Sequence, residues 1–211
     1  MAATIEILDA GGEGELTVRA LTVHLSTGRG AIYHHVSGRD ELLAAATDQV
    51  VAQVTTAVPT HDDAEAAIRA LALGLFDAID AHPWVGTRLS REPNQTAVLR
   101  IWSSVGTQLR RLGVEPAALA DAGSALVSYV LGSTAQYAAG PRAHPDEADR
   151  KGYLDQIATQ WMQHDPDPLV AEAATQLREH DDREQFLAGV NIFLTGMQGM
   201  TSTRRDTPVL P

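Results

Sequence analysis

Apolar residues along the chain recur every three or four positions, and the alternating runs of a half-buried strand are nearly absent. The pattern predicts helices, and local chemistry predicts their ends. A first short helix is expected over residues 2–10, with Ile5 and Leu8 inward and Gly11-Gly12 ending it. Thr17 suits the N-cap of a second helix, and Leu16 and Leu21 stand where a hydrophobic staple would place them. Val18, Leu21 and Leu25 share the buried face of that helix, and Ser26-Thr27-Gly28 forms the turn after it. A third helix is expected at about 29–36, with Ile32 and Val36 inward. Ser37 followed by Asp40 is a capping-box-like start for a fourth, running to about Ala57.

Pro59 marks a break between this head and a larger body. Thr60, Asp62 and Asp63 place a cap and negative charge at the next helix start, which runs to His82 and stops at Pro83. A short helix at 84–90, a loop at 91–94 and a helix at 95–112 follow, the last closed by Arg110, Arg111 and Gly113. Pro116 opens a helix to about Ala138. After a loop at 140–146, helices of about 147–163 and 168–179 are divided by Asp165-Pro166-Asp167-Pro168. Asp181 and Glu184 cap a last helix reaching Thr201. The fold class is therefore all-α, with a three-helix helix-turn-helix head over 1–47, a helical body over 48–201 and a flexible tail over 202–211.

Composition narrows the function. The 211-residue chain has 44 % hydrophobic residues, no cysteine and a formal net charge of -11. A packed core follows, while disulfides and thiolate zinc sites are excluded. The first residues lack the pattern of a signal peptide and no run is apolar enough for a membrane helix, so a cytoplasmic protein without membrane contact is expected. The acidic balance argues against general affinity for nucleic acid. Even residues 1–47 carry Glu6, Asp9, Glu13, Glu15, Asp40 and Glu41 against Arg19, Arg29 and Arg39. Yet the window from Leu16 to Arg39 holds three arginines, three histidines and no carboxylate. Local charge placement, in a helix-turn-helix free to enter a major groove, thus points to DNA binding.

The head residues LTVRAL, AIYHHV and SGRDELL resemble the tetracycline-repressor (TetR) family of transcription regulators, with Tyr33, His35, Arg39, Leu42 and Leu43 on its pattern. Gly86-Thr87-Arg88 and FLAGVNIFLTGMQ resemble the body of that family. The turn departs from it, with Ser26 where a glycine is usual and Gly28 at the usual polar cap. The resemblance implies that Arg19, Arg29, Gly30, Tyr33 and His34 approach the bases. It implies that Thr17, Thr27, His35 and Arg39 hold phosphates. The implied protein is a ligand-responsive repressor on a pseudopalindromic double-stranded DNA operator.

Family members bind a small effector inside the body, so amphipathic and aromatic body residues are candidates: Trp84, Arg88, Trp102, Val105, Gln108, Leu109, Tyr129, Gln136, Trp161, Met162 and Met197. Core packing is the alternative for each. Arg88 and Gln108, polar among apolar neighbours, favour a polar-aromatic ligand. Trp84 stands where tetracycline repressors carry a magnesium-binding histidine, so the metal is not carried over and no cofactor is expected. Small residues Gly123, Ser124, Ala125, Gly132, Ser133, Ala135, Gly189, Gly196 and Gly199 suggest close helix approach, which the family uses to build a homodimer. His61-Asp62, His164-Asp165 and His180-Asp181 could hold metals in a helical hydrolase, but each falls at an expected helix boundary, where Asp caps. Two other classes remain open: a helical enzyme, for which no catalytic motif is present, and a small-molecule-binding module with a degenerate DNA-binding head.

Overall fold

The structure, a computed structural model, describes residues 1–28, 30, 38–58, 63–91, 95–139, 147–179 and 181–202. These form helices and no strand. The head contains α1 (Ala2–Glu15), α2 (Val18–His24) and the first turns of α3 (Arg39–Ala57). The body contains α4 (Ala64–Ala81), α5 (Pro83–Arg91), α6 (Thr96–Arg111) and α7 (Pro116–Ala139), then α8 (Glu147–His164), α9 (Pro168–Arg178) and α10 (Asp182–Ser202).

Local chemistry sets most helix ends. Thr17 accepts the Ala20 N–H at 3.0 Å and starts α2. Asp63, Asp167 and Asp181 accept from Glu65, Leu169 and Glu184 at 2.9, 2.8 and 2.8 Å. Gly113, in the left-handed region at φ 82°, lets the chain leave α6. In α1 the expected stop becomes a kink: Gly12 takes φ 68°, and one more helical turn follows. The Ser37 cap expected for α3 lies outside the described residues. That helix begins at Arg39 with Gly38 as N-cap and no side-chain cap bond. The expected recognition helix at 29–36 also lies outside them, as do Pro59, Thr60 and Asp62.

The core runs through head and body without a break. Leu8, Leu16, Leu21 and Leu43 close the head, and Val50 and Val51 on α3 continue into the body. There α4 packs on α3, α5, α6, α7 and α10, so the central helix is shielded on several sides. Its Ile68, Leu71, Leu75 and Ile79 are all buried, each contributing about 1.5–3 kcal/mol relative to exposure. Asp48 on α3 and Arg100 on α6 add a bidentate pair at 3.1 and 3.0 Å. Helices α8 and α9 pack mainly on each other, through a seam at Ala158 and Ala174. Helices α7 and α10 lie side by side, joined by rings: Tyr129 stacks on Phe186 at 5.8 Å, and Phe76 bridges Phe186 and Tyr137.

Candidate DNA-reading head and effector-binding body

The head combines a capped helix with a tight turn. Thr17 and Arg19 are exposed, and the Thr22 hydroxyl donates to the Arg19 carbonyl at 2.8 Å. Thr17 uses an oxygen lone pair for its cap and keeps its O–H free to donate. Ser26 turns the chain at φ 50°, a left-handed conformation that glycine adopts without steric cost. This is the physical reason a glycine is usual there. Thr27 follows half-buried, its N–H on the Thr22 carbonyl at 3.1 Å. Gly28 and Gly30 face open space. Arg29, Tyr33, His34 and His35 lie outside the described residues. Arg39 does not stand apart for a phosphate: it donates to the Glu13 carbonyl, with the Glu13 carboxylate at 3.9 Å, pinning α3 to the kinked end of α1. Half its side chain remains exposed.

Three acids of the head have basic or N–H partners. Glu6 meets His24 at 2.7 Å, Asp9 meets His82 and Trp84 at 2.8 Å each, and Asp40 faces Arg88 at 3.9 Å. Two of those three acids therefore turn to the body. A net negative head can still present a local surface of Thr17, Arg19, Thr27 and Gly30.

The effector candidates occupy different places. Trp84, 5 % exposed, points its indole N–H at Asp9, and Arg88, 8 % exposed, faces Asp40, so both sit at the junction of head and body. Trp84 has a donor and no lone pair to offer a cation, so the residues present do not fit a magnesium ion at that position. Trp102 lies against Gly123, where a Cβ would come within 2.8 Å of its ring. Gln108 accepts from Arg111 at 2.7 Å in the last turn of α6. Tyr129 donates to the Phe186 carbonyl at 3.0 Å, and Gln136 is exposed. Trp161 and Met162 are exposed on α8, where Trp161, His164 and Leu169 line an open groove with α9. Leu109 and Met197 are buried in the core.

Val105 alone of these candidates lines a small void found among the described residues of the body. That void, of about 10 Å³, is walled by aliphatic side chains of α4, α6 and α7, among them Ile68, Leu75, Ile101, Val127 and Val130. It is at the lower limit for one water, so a ligand enters only if these helices part. Sequence reasoning passed over this aliphatic wall because its residues read as ordinary core. It also passed over Asp9 and His82, whose only signal was polar character beside a helix boundary.

Among the described residues no group of three or more His, Asp or Glu could hold a metal. Asp165 and Asp181 spend their carboxylates on the backbone N–H groups of Asp167 and Glu184. No helix of the described residues is long and apolar enough to cross a membrane. Burial, with Tyr129 and Asp182 nearby, pushes the Tyr137 phenol above its ordinary range. Its hydroxyl donates to Gln185 at 2.9 Å.

No family model matches the chain. Among solved structures, SCO7222, a TetR transcriptional regulator from Streptomyces coelicolor, superposes with a TM-score of 0.83 at 47 % identity, covering 94 % of this chain and 95 % of that one. The TetR family protein ActR of the same organism, in complex with actinorhodin, superposes at 0.74 with 23 % identity over 94 % of each chain. An HTH-type transcriptional regulator of Saccharopolyspora erythraea is 31 % identical over 160 residues, which span 73 % of this chain and 65 % of that protein's length.

Proposed function

From a chain that belongs to the TetR family of transcriptional regulators, we propose a ligand-responsive repressor that leaves a pseudopalindromic operator when a small molecule enters its body. The observation that supports this best is the head. A capped helix, a left-handed turn and carboxylates drawn to other partners leave a surface suited to phosphates and base edges. The relatives described above are transcription regulators rather than enzymes.

A homodimer supplies the second head. Along α7, Ser124, Ala125, Ser128 and Gly132 are exposed, and beside them on α10 so are Ala188, Ile192 and Gly196. Ile192 is 73 % exposed on this face of small residues, an arrangement suited to close packing of two copies. Recognition helices about 34 Å apart would then enter successive major grooves.

The effector is a small molecule that separates α4, α6 and α7. The aliphatic wall around Val105 favours a largely apolar ligand surface. Such a ligand releases DNA only by preferring the non-binding state. A preference of about 10⁴-fold, or about 5.5 kcal/mol, converts the population fully.

The test is a mobility-shift titration on the DNA upstream of the chain's own gene. Binding should fall steeply with salt, and Arg29→Ala should cost about 1–3 kcal/mol with relaxed base preference. Binding that persists unchanged in Arg29→Ala and Tyr33→Ala would remove the proposal.

A further inference from the structure

Besides α3, which runs from the head into the body, the head meets the body at the corner where α4 ends at Ala81 and α5 begins at Pro83. Helix α5 packs on α1 and α3 in the head and on α4 and α7 in the body, so it lies between the two. Most of these contacts are apolar, and apolar contact has little directional preference. The polar contact at the corner does have direction. His82 Nδ1 and Trp84 Nε1 both donate to the same oxygen, Asp9 Oδ1, at 2.8 Å each. The two donors are separated in sequence only by Pro83, which restricts the backbone between them. Trp84 is buried, so its ring cannot swing out to follow a displaced head. Asp9 adjoins Leu8, which is 1 % exposed in the head core. Asp9, a third of its side chain exposed, thus belongs to the head, and its two donors belong to the body. The neighbouring Arg88–Asp40 pair, at 3.9 Å with Asp40 largely exposed, is looser and screened by solvent.

We infer that Asp9 is a positioning residue: its clasp by His82 and Trp84 sets the angle of the head on the body. It rests on the proposed repressor function for its consequence, the spacing of two heads on DNA, but not for the clasp itself. It also takes Trp84 out of the effector site and makes it the body's grip on the head.

The absence of cysteine allows a direct test. Spin labels on Val23→Cys in the head and Leu99→Cys on α6, both exposed positions, report the distance between head and body. Labelled chains are diluted in excess unlabelled protein, so that each pair reads one subunit. Asp9→Ala and Trp84→Phe should broaden the distance distribution while the protein stays folded. Asp9→Asn, which keeps an acceptor oxygen, should restore it. On the upstream DNA, Asp9→Ala should weaken binding about tenfold, the scale of one lost hydrogen bond to a charged group, and Asp9→Asn should recover it. Distributions in Asp9→Ala and Trp84→Phe that match the parent would overturn the inference, even with a lowered melting temperature. Should the distributions broaden while the parent itself binds no DNA, the clasp stands and the repressor reading fails.

Discussion

Gly189 on α10 offers the sharpest test of the packing beneath the proposed dimer face. A Cβ built there would overlap the hydroxyl and Cζ of Tyr129 and stand 2.9 Å from its Cε2. Tyr129 has little room to yield, since its ring stacks on Phe186 at 5.8 Å and meets Phe193 at 5.3 Å. Its hydroxyl is also bonded to the Phe186 carbonyl. Gly189→Ala should gain about 1 kcal/mol of helix propensity. Displacing Tyr129 should cost about 0.5–1.5 kcal/mol of ring contact and a similar amount of hydrogen bonding, with overpacking strain of about 1–3 kcal/mol on top. The net expectation is destabilisation by roughly 1–5 kcal/mol. In a Tyr129→Ala background the obstacle is gone, and the same substitution should stabilise by about 1 kcal/mol. Urea unfolding of the four proteins at one fixed concentration measures this reversal of sign, the fixed concentration being needed because association shifts apparent stability. A coupling below about 0.5 kcal/mol, or a Gly189→Ala protein more stable than its parent, would refute the packing argument.

Three further outcomes are expected. Ser26→Gly should relieve the left-handed strain at φ 50° and, after the entropy cost of glycine, raise stability by about 0.5–1 kcal/mol in thermal unfolding; Ser26→Ala should not. Ile192→Asp should shift the protein from dimer to monomer in sedimentation, because it would place a charge at the centre of a face meant to meet its own copy. Because burial raises the Tyr137 pKa, the folded state keeps the phenol protonated where the unfolded chain has lost the proton. Its stabilising effect is complete below the ordinary value of about 10 and is lost as pH rises through the raised value. Alkaline denaturation curves should therefore flatten in Tyr137→Phe.

The capped second helix of the head and the turn after it were legible because their signals are local. Thr17 caps a helix that begins one residue later, and Ser26 turns the chain within the expected three residues. Arg39 was legible as a cation and not as a partner of Glu13, which lies 26 residues away. The effector candidates share a chemical type rather than a place. Trp84 faces the head, Tyr129 lies along α10, and Trp161 sits on a hairpin outside the main core. A residue's aromatic or polar character does not say which neighbouring helix it meets.

The amino-acid sequence alone determined that the chain is helical, where most helices start and stop, and that one short stretch is free of carboxylates. Caps, prolines, glycines and the helical period act within a few residues, so no tertiary information is needed to read them. Only the tertiary structure decided that Asp9 joins His82 and Trp84, and that side chains of α4, α6 and α7 enclose a small aliphatic void of about 10 Å³ beside Val105. Those outcomes depend on how helices distant in sequence cross one another. Crossing angles follow from the mutual fit of many side chains, which the period of any single helix leaves open.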